Sequence, residues 1–450
     1  MSFNNKKTKL SGQNTEYFPG ISKIEYRPDA PLDDTLVFRH YDAQQLVLGK
    51  TMQDWLRFSV CYWHSFRGVG LDPFGSGTIV RPWDDGSDSL ETAKQRLRAA
   101  FEFFSKLGVK YWTFHDRDIA PEGNTLASTN ANLDIIADLA QELMQKHQVK
   151  LLWATSNLFA NPRYMLGAST SSDAKVAAYA GSQVKKCMEI AKKLGAENMV
   201  FWGGREGYNS LVNTDVKQEL DHMAAFFRMV VVYKQKIGFE GQLLIEPKPK
   251  EPTRHQYDYD AQTVMSFLSQ YELGQHFKLN IEPNHTTLAG HCYEHDVVMA
   301  SIFGKLGSID ANTGSPDLGW DTDQFPMDIK SAASIMKIII EQGGLAPGGL
   351  NFDAKVRRDS TDLRDLFIGH VAAMDTFARG LKIAAKMVED GLLKQAVEAR
   401  YSSWAVGLGA KMAAGEATLE DCEKLIHEEG HPTPESANQE HFEAIVNNYM

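Results

Sequence analysis

Between Asn280 and Asp323 the chain carries Glu282, His285, Asp310, Asp321 and Asp323, at the ends of short apolar runs rather than scattered along polar faces. Carboxylates suit hard divalent cations such as Mg²⁺, and one imidazole among them also admits Mn²⁺ or Co²⁺. A lone Asp after a strand is most often a helix cap or a turn residue. Five acids and imidazoles in so short a stretch, each beside a strand signal, exceed what capping explains. The stretch therefore reads as a carboxylate-rich site for one or two divalent cations. In Asp321-Thr322-Asp323, alternate residues of an extended loop point the same way, so both carboxylates can grip one ion. With His285 they suggest a second metal, and Glu282 could bridge the two.

Such ligands need elements that bring them together. From about residue 58, short β-rich runs alternate with longer amphipathic stretches. The runs are Phe58–Trp63, Val109–Phe114, Lys150–Thr155, Asn198–Trp202, Gln242–Glu246, Phe277–Glu282, Leu306–Asp310 and Gly349–Asp353. Helical patterns fill the gaps, among them Ser89–Leu107, Val176–Leu194 and Asp215–Lys236. Eight strands alternating with helices imply parallel pairing through crossovers. About 300 residues over eight units is the size of an α/β (β/α)8 TIM barrel with some insertions. A doubly wound open sheet would carry a Gly-rich phosphate turn after its first strand; Trp63-His64-Ser65-Phe66-Arg67-Gly68 stands there instead. The expected organisation is an N-terminal extension (1–55) wrapped on the body, a barrel (56–360) and a C-terminal helical tail (361–450). Asp362–Leu392 reads as one or two helices, and Ala417–Glu429 as an amphipathic one. A tail this long with little core of its own is expected to pack on the same barrel or on another subunit.

In such barrels the chemistry sits at the C-terminal ends of the strands. Polar residues stand there: His115, Thr155, Glu246 with Lys248 beyond it, Glu282 with His285 beyond it, Asp310 and Asp353. Buried strand ends would otherwise be apolar, because an unpaired buried charge is costly. Four carboxylates converging on one mouth repel one another unless a cation neutralises them, which is the physical argument for metal.

Composition narrows the classes. The 450 residues are 43% hydrophobic and 23% charged, with a net charge of −11, so a soluble globular chain is expected and nucleic acid is not an expected partner. No apolar run approaches about 18 residues, so no membrane span is expected. Met1–Leu10 is polar, with no apolar core of a secretory signal. The four cysteines are dispersed, without the spacing of a zinc knuckle or redox motif, as in a reducing compartment. A cytoplasmic location is expected.

The strand-end residues sit in longer motifs. These include Phe38-Arg39-His40-Tyr41, Cys61-Tyr62-Trp63-His64, Asp72-Pro73-Phe74-Gly75 and Phe114-His115-Asp116-Arg117-Asp118-Ile119-Ala120-Pro121-Glu122-Gly123. Phe201-Trp202-Gly203-Gly204-Arg205-Glu206-Gly207, Glu246-Pro247-Lys248-Pro249, Glu282-Pro283-Asn284-His285 and Gly319-Trp320-Asp321-Thr322-Asp323 follow in order. In this order, from about residue 15 to 440, the chain resembles xylose isomerase of the longer type with an N-terminal extension. The resemblance implies an aldose–ketose isomerase acting on D-xylose and D-xylulose, and on D-glucose and D-fructose, with two divalent cations per subunit (Mg²⁺, or Mn²⁺ or Co²⁺). It implies a structural metal on Glu246, Glu282, Asp310 and Asp353, and a catalytic metal on Glu282, His285, Asp321 and Asp323. His115, oriented by Asp118, would assist ring opening, and Lys248 would bind the O1/O2 end of the open sugar. Trp63, Phe159 and Trp202 would wall the pocket, and Thr155 would belong to it. Phe74 would reach into a neighbouring subunit's site, within a homotetramer.

An enediol route needs a free base near C2, and this assignment commits nearly every carboxylate at the mouth. A metal-assisted hydride shift from C2 to C1 is therefore preferred. Alternatives are a metal-dependent sugar epimerase, an abasic-site endonuclease, which the acidic composition disfavours, and a barrel that only binds sugar.

Overall fold

The computed structural model describes residues 16–450. Eight parallel strands close into a barrel: β1 Ser59–Cys61, β2 Tyr111–His115, β3 Lys150–Thr155, β4 Asn198–Trp202, β5 Gln242–Glu246, β6 Phe277–Ile281, β7 Leu306–Asp310 and β8 Leu350–Phe352. Each pairs with the next in sequence, and β8 closes on β1 through Asn351–Ser59 and Phe352–Val60. Sequence order thus equals spatial order, the outcome expected of successive right-handed crossovers. The strands are apolar runs because both faces are covered: every residue of β2 and of β7 is buried.

The helices of the body are α1 Leu90–Leu107, α2 Leu126–His147, α3 Ala174–Lys193, α4 Val216–Ile237, α5 Ala261–Gln270, α6 Pro283–Leu288, α7 Glu294–Ile302, α8 Ile329–Glu341 and α9 Leu363–Asp390. The predicted starts at Ser89 and Asp215 are N-caps. Ser89 Oγ accepts the Thr92 N–H at 3.1 Å and Asp215 Oδ1 the Gln218 N–H at 3.0 Å. The apolar positions Leu97, Ala100, Phe101 and Phe104 of α1, at helical spacing, are all fully buried.

The first strand departs from expectation. It stops at Cys61, and Trp63–Arg67 forms a single π-helical turn, closed by the Gly68 N–H donating to Trp63 O at 3.0 Å. A Cβ at Gly68 would stand 2.3 Å from His64 O, so only glycine allows that close approach. The turn swings Trp63 and His64 over the barrel mouth, a use typical of π-turns.

The N-terminal segment packs on the outside of the barrel. Phe18 is fully buried against Trp83, Phe103 and Phe367. Asp375 on α9 accepts the backbone N–H groups of Arg39, His40 and Tyr41 at 2.7, 3.0 and 2.9 Å. The polar start at 1–10 lies outside the described residues. At the other end, α9 is one helix with a broad buried face, packed on α8. Beyond it come α10 Leu392–Arg400, α11 Gly407–Ala413, α12 Leu419–Glu429 and α13 Gln439–Asn448, none with a buried residue. Leu393 at the start of this tail and Val446, Tyr449 and Met450 at its end pack beside Ala333, Ile383 and Met387. Among the described residues no helix is long and apolar enough to cross a membrane.

One buried histidine gives the fold an acid limit. His370 on α9 is fully buried among Phe103, Phe325 and Phe352, and its Nδ1–H donates to Leu366 O at 2.8 Å. Burial pushes its imidazole down to about 4. Between the ordinary histidine value and pH 4 the unfolded chain binds a proton that the native chain refuses, so stability falls as pH drops through that window. About 3 kcal/mol is at stake. His370→Leu should flatten the decline of the urea midpoint over this window; an unchanged slope would refute the assignment.

Candidate active site

The C-terminal strand ends open on a cavity of about 220 Å³. Trp63 and His64 enter it from the π-turn, His115 from β2, Trp153 and Thr155 from β3, and Phe159 from the loop beyond. Trp202 comes from β4, Glu246 from β5, and Lys248 from just past it. Glu282 follows β6, His285 sits on α6, Asp321 and Asp323 lie between β7 and α8, and Asp353 follows β8. Asp310 ends β7 beneath the floor, fully buried. Asp118 stands behind His115, its Oδ2 2.8 Å from the imidazole Nδ1. The Thr155 hydroxyl donates to Val200 O at 2.6 Å, which leaves it only lone pairs to offer. Phe74 is not brought to this cavity; it stands 80% exposed, its ring 5.8 Å from Trp320.

The ligating atoms converge. Glu282, Asp310 and Asp353 each place an oxygen within 4.8 Å of the others; so do Glu282, Asp321 and Asp323, and so do the ligand atoms of Glu246, Glu282 and His285. Glu282 is common to all three groups. His285 Nδ1 lies 3.0 Å from Pro247 O and donates to that carbonyl, and its Nε2 lies 3.2 Å from Glu282 Oε2 and 3.1 Å from Asp321 Oδ2, placed to donate to them or to join them around a cation.

Amides hold these acids. Asn280 Nδ2 donates to Glu246 Oε2 at 2.9 Å and Asp310 Oδ2 at 2.7 Å. Asn351 Nδ2 donates to Asp310 Oδ1 at 2.7 Å, and Asn312 Nδ2 to Glu282 Oε1 at 2.6 Å. None of these asparagines was singled out from sequence, although strand alternation marks two of them. Asn280 precedes Glu282 by two, and Asn351 precedes Asp353 by two, so each pair points inward together.

His64 is another residue the sequence reading missed. Its Nε2 lies 3.1 Å from Asp323 Oδ2 and 3.0 Å from Asp353 Oδ1. Burial opposes its charge, but the two carboxylates raise the imidazole to about 9. Lys248 Nζ pairs with Asp321 Oδ2 at 2.7 Å, and Lys355 Nζ with Asp323 Oδ2 at 2.8 Å. Against the pull of burial, Lys248 and His285 hold Asp321 well below the carboxylate range, and His64 lowers Asp353. The other half of the cluster is uncompensated. Burial, then Asp310 and Asp353, push Glu246 up; burial, then Asp321, push Glu282 up; Asp310 rises to about 8 through burial and Asp353. Among the described residues neither Lys nor Arg forms an ion pair with Glu246, Glu282 or Asp310, and His285 alone makes ion-pair contacts with Glu246 and Glu282. Oxygen-rich donors with excess buried negative charge fit hard divalent cations.

Opposite the acids runs an aromatic wall. Trp63 meets His115 at 4.3 Å, His115 meets Phe159 at 5.6 Å, and Phe159 meets Trp202 at 4.5 Å. Lys248 Nζ sits 5.2 Å from the Trp202 ring centre. The cavity thus has a charged, ligand-rich side and an apolar side.

Known proteins match this chain over most of its length. The xylose isomerase of Arabidopsis thaliana is 54% identical over 435 residues, 97% of this chain and 91% of that protein. That of Rhodopirellula baltica is 54% identical over 96% of this chain and 99% of its own length. That of Thermoanaerobacterium thermosaccharolyticum is 51% identical, covering 97% and 99%. A family model for the XylA2 C-terminal domain matches residues 397–450. In structure, D-psicose 3-epimerase from Clostridium cellulolyticum H10 superposes with a TM-score of 0.51 at 12% identity, over 72% of this chain and 99% of that one. A D-tagatose 3-epimerase-like protein gives 0.50 at 12%, over 74% and 99%. These two show a shared barrel fold.

Proposed function

The chain belongs to the xylose isomerase family, and from that membership and its barrel mouth we infer that it is an aldose–ketose isomerase interconverting D-xylose and D-xylulose. The observation that carries the reading is one cavity with a carboxylate–imidazole cluster on one side and an aromatic wall on the other. We assign the acids to two divalent cations, Mg²⁺ with Mn²⁺ or Co²⁺ as alternatives. One would be held by Glu246, Glu282, Asp310 and Asp353, the other by Glu282, His285, Asp321 and Asp323. When bound, such cations polarise the sugar oxygens at C1 and C2 and hold the open chain in place.

The chain's own residues do the rest. Asp118 fixes the His115 tautomer with Nδ1–H toward the carboxylate, which leaves Nε2 to exchange a proton with the sugar during ring opening. Lys248 offers a buried ammonium to the O1/O2 end, beside Asp321. Trp63, Phe159 and Trp202 exclude water, which limits exchange of the migrating hydrogen. The carboxylates nearest the sugar are committed to cations, so a hydride shift from C2 to C1 needs no protein base. We further propose a cytoplasmic homotetramer, with the extension at 1–55, the catalytic barrel at 56–360 and the subunit-contact tail at 361–450. Exposed Trp404, Val406 and Leu419 on the tail support this, as does Phe74, which would enter a neighbour's cavity.

The test is an assay of chelator-stripped protein with C2-deuterated D-xylose. D-Xylulose should form only on adding Mg²⁺, Mn²⁺ or Co²⁺, with deuterium retained at C1. Loss of label to solvent would replace the hydride shift by an enediol. Absence of product from a folded oligomer with every cation would refute the isomerase reading.

A further inference from the structure

A second set of ligating groups lies outside the cavity, where the α6–α7 loop meets the start of α5. His291 and His295 stack with ring centres 4.1 Å apart and planes 28° from parallel. One ring nitrogen of each and a carboxylate oxygen of Asp296 lie within 4.8 Å of one another. Asp296 is 3% exposed. Its Oδ2 accepts the Ala261 N–H at 3.2 Å, while Oδ1 is buried with no hydrogen-bond partner. A buried carboxylate oxygen left without a donor is costly, and native structures rarely keep one without a bound water or ion. The rim supplies further oxygens: His291 Nε2 lies 3.2 Å from Asp260 Oδ2, and His295 Nε2 3.2 Å from Gln262 Oε1. Both imidazoles are only half-buried, so solvent reaches the cluster.

We propose that His291, His295 and Asp296 form a third cation site, selective for a borderline transition metal such as Zn²⁺ or Co²⁺ rather than Mg²⁺. Two imidazoles and one carboxylate are the donor set of tetrahedral zinc-type sites, whereas Mg²⁺ prefers a shell made mostly of oxygen. Bonds of about 2.1 Å in a tetrahedron put ligand atoms about 3.4 Å apart, so the rings, now stacked, must rotate to aim their lone pairs at one ion. Asp260 is placed to complete the shell or to orient His291, the usual role of a carboxylate behind a metal-bound imidazole. The ion would clip the loop after α6, the helix that carries His285, to the Asp260 cap of α5. This site shares no residue with the catalytic cluster.

Equilibrium dialysis of the stripped full-length protein against micromolar Co²⁺, with metal counted by mass spectrometry, tests this. Wild-type protein should retain one Co²⁺ per chain more than His295→Gln, and the intense visible absorption of tetrahedral Co²⁺ should drop by that one equivalent in the variant while Mg²⁺-dependent isomerase activity persists. Asp296→Asn should lose the same equivalent and serves if His295→Gln does not fold. Equal Co²⁺ counts in wild type and variant overturn the site. Failure of the catalytic assignment would read differently, as a Glu282→Gln variant that retains the full wild-type count.

Discussion

Glu282→Gln should abolish isomerisation, by about 10³-fold or more in kcat/KM, and should yet raise the melting temperature of the metal-free protein. Glu282 is shared by all three convergent groups at the mouth. An amide cannot bridge two cations as a carboxylate does, so titration with Mn²⁺ should show both catalytic sites weakened together. The stability effect has the opposite sign. Burial, then the charges of Asp321 and Asp353, push Glu282 well up. A carboxyl whose native pKa exceeds its unfolded value costs stability at every pH above the unfolded value. Removing its charge relieves that cost when no cation is present. Wild-type protein should gain stability on adding Mg²⁺, about 2.7 kcal/mol at a hundredfold excess over Kd, and the variant should gain little. Differential scanning calorimetry with and without Mg²⁺ decides it. A metal-free variant melting below metal-free wild type would show that Glu282 is built into the fold rather than kept for the cation.

Why some of this was readable from sequence and some was not follows from how each residue is placed. Glu246, Asp310 and His115 are the last residues of their strands, and Glu282 and Asp353 come one position later, so the short apolar runs pointed straight at them. Lys248 and His285 lie close enough in sequence to a strand end to be carried along. His64 gave no such signal. Its role depends on a π-turn closed by Gly68 and on Asp323 and Asp353 arriving from two distant loops. The asparagines were readable in principle, since Asn280 and Asn351 share the inward phase of Glu282 and Asp353. Amides carry no charge, however, and a search for charged ligands passes over them. Phe74 is a different case: it stands exposed on its own chain beside Trp320, and its place in a neighbour's cavity belongs to the proposed assembly. The tail was legible as helix because its caps are local, as in Thr418 accepting the Asp421 N–H at 3.2 Å. What its apolar side chains touch is not a local property.

Lys248→Met should lower kcat by about 10²- to 10³-fold while tightening metal binding, a pairing of effects that separates it from every change to a ligand. The ammonium is buried, 2.7 Å from Asp321 Oδ2 and near Trp202. Burial opposes its charge, but Asp321 and Glu282 hold it protonated. It therefore competes with a cation for Asp321 as much as it serves the sugar. Without it, Asp321 becomes fully available to metal, and Mn²⁺ should bind more tightly. In the metal-free protein the same change takes from the buried Asp321 carboxylate its strongest cationic partner, and a loss of about 3–5 kcal/mol is expected. Metal should restore most of that loss but none of the rate, because the O1/O2 end of the sugar keeps no ammonium beside it. Lys248→Arg should not rescue turnover: a planar guanidinium replaces a compact point charge, in a cavity of only about 220 Å³. Mn²⁺ titration beside steady-state kinetics separates the cases. Weaker metal binding in Lys248→Met would mean that the lysine organises the metal ligands, and the lost rate would then belong to the cation rather than to the ammonium.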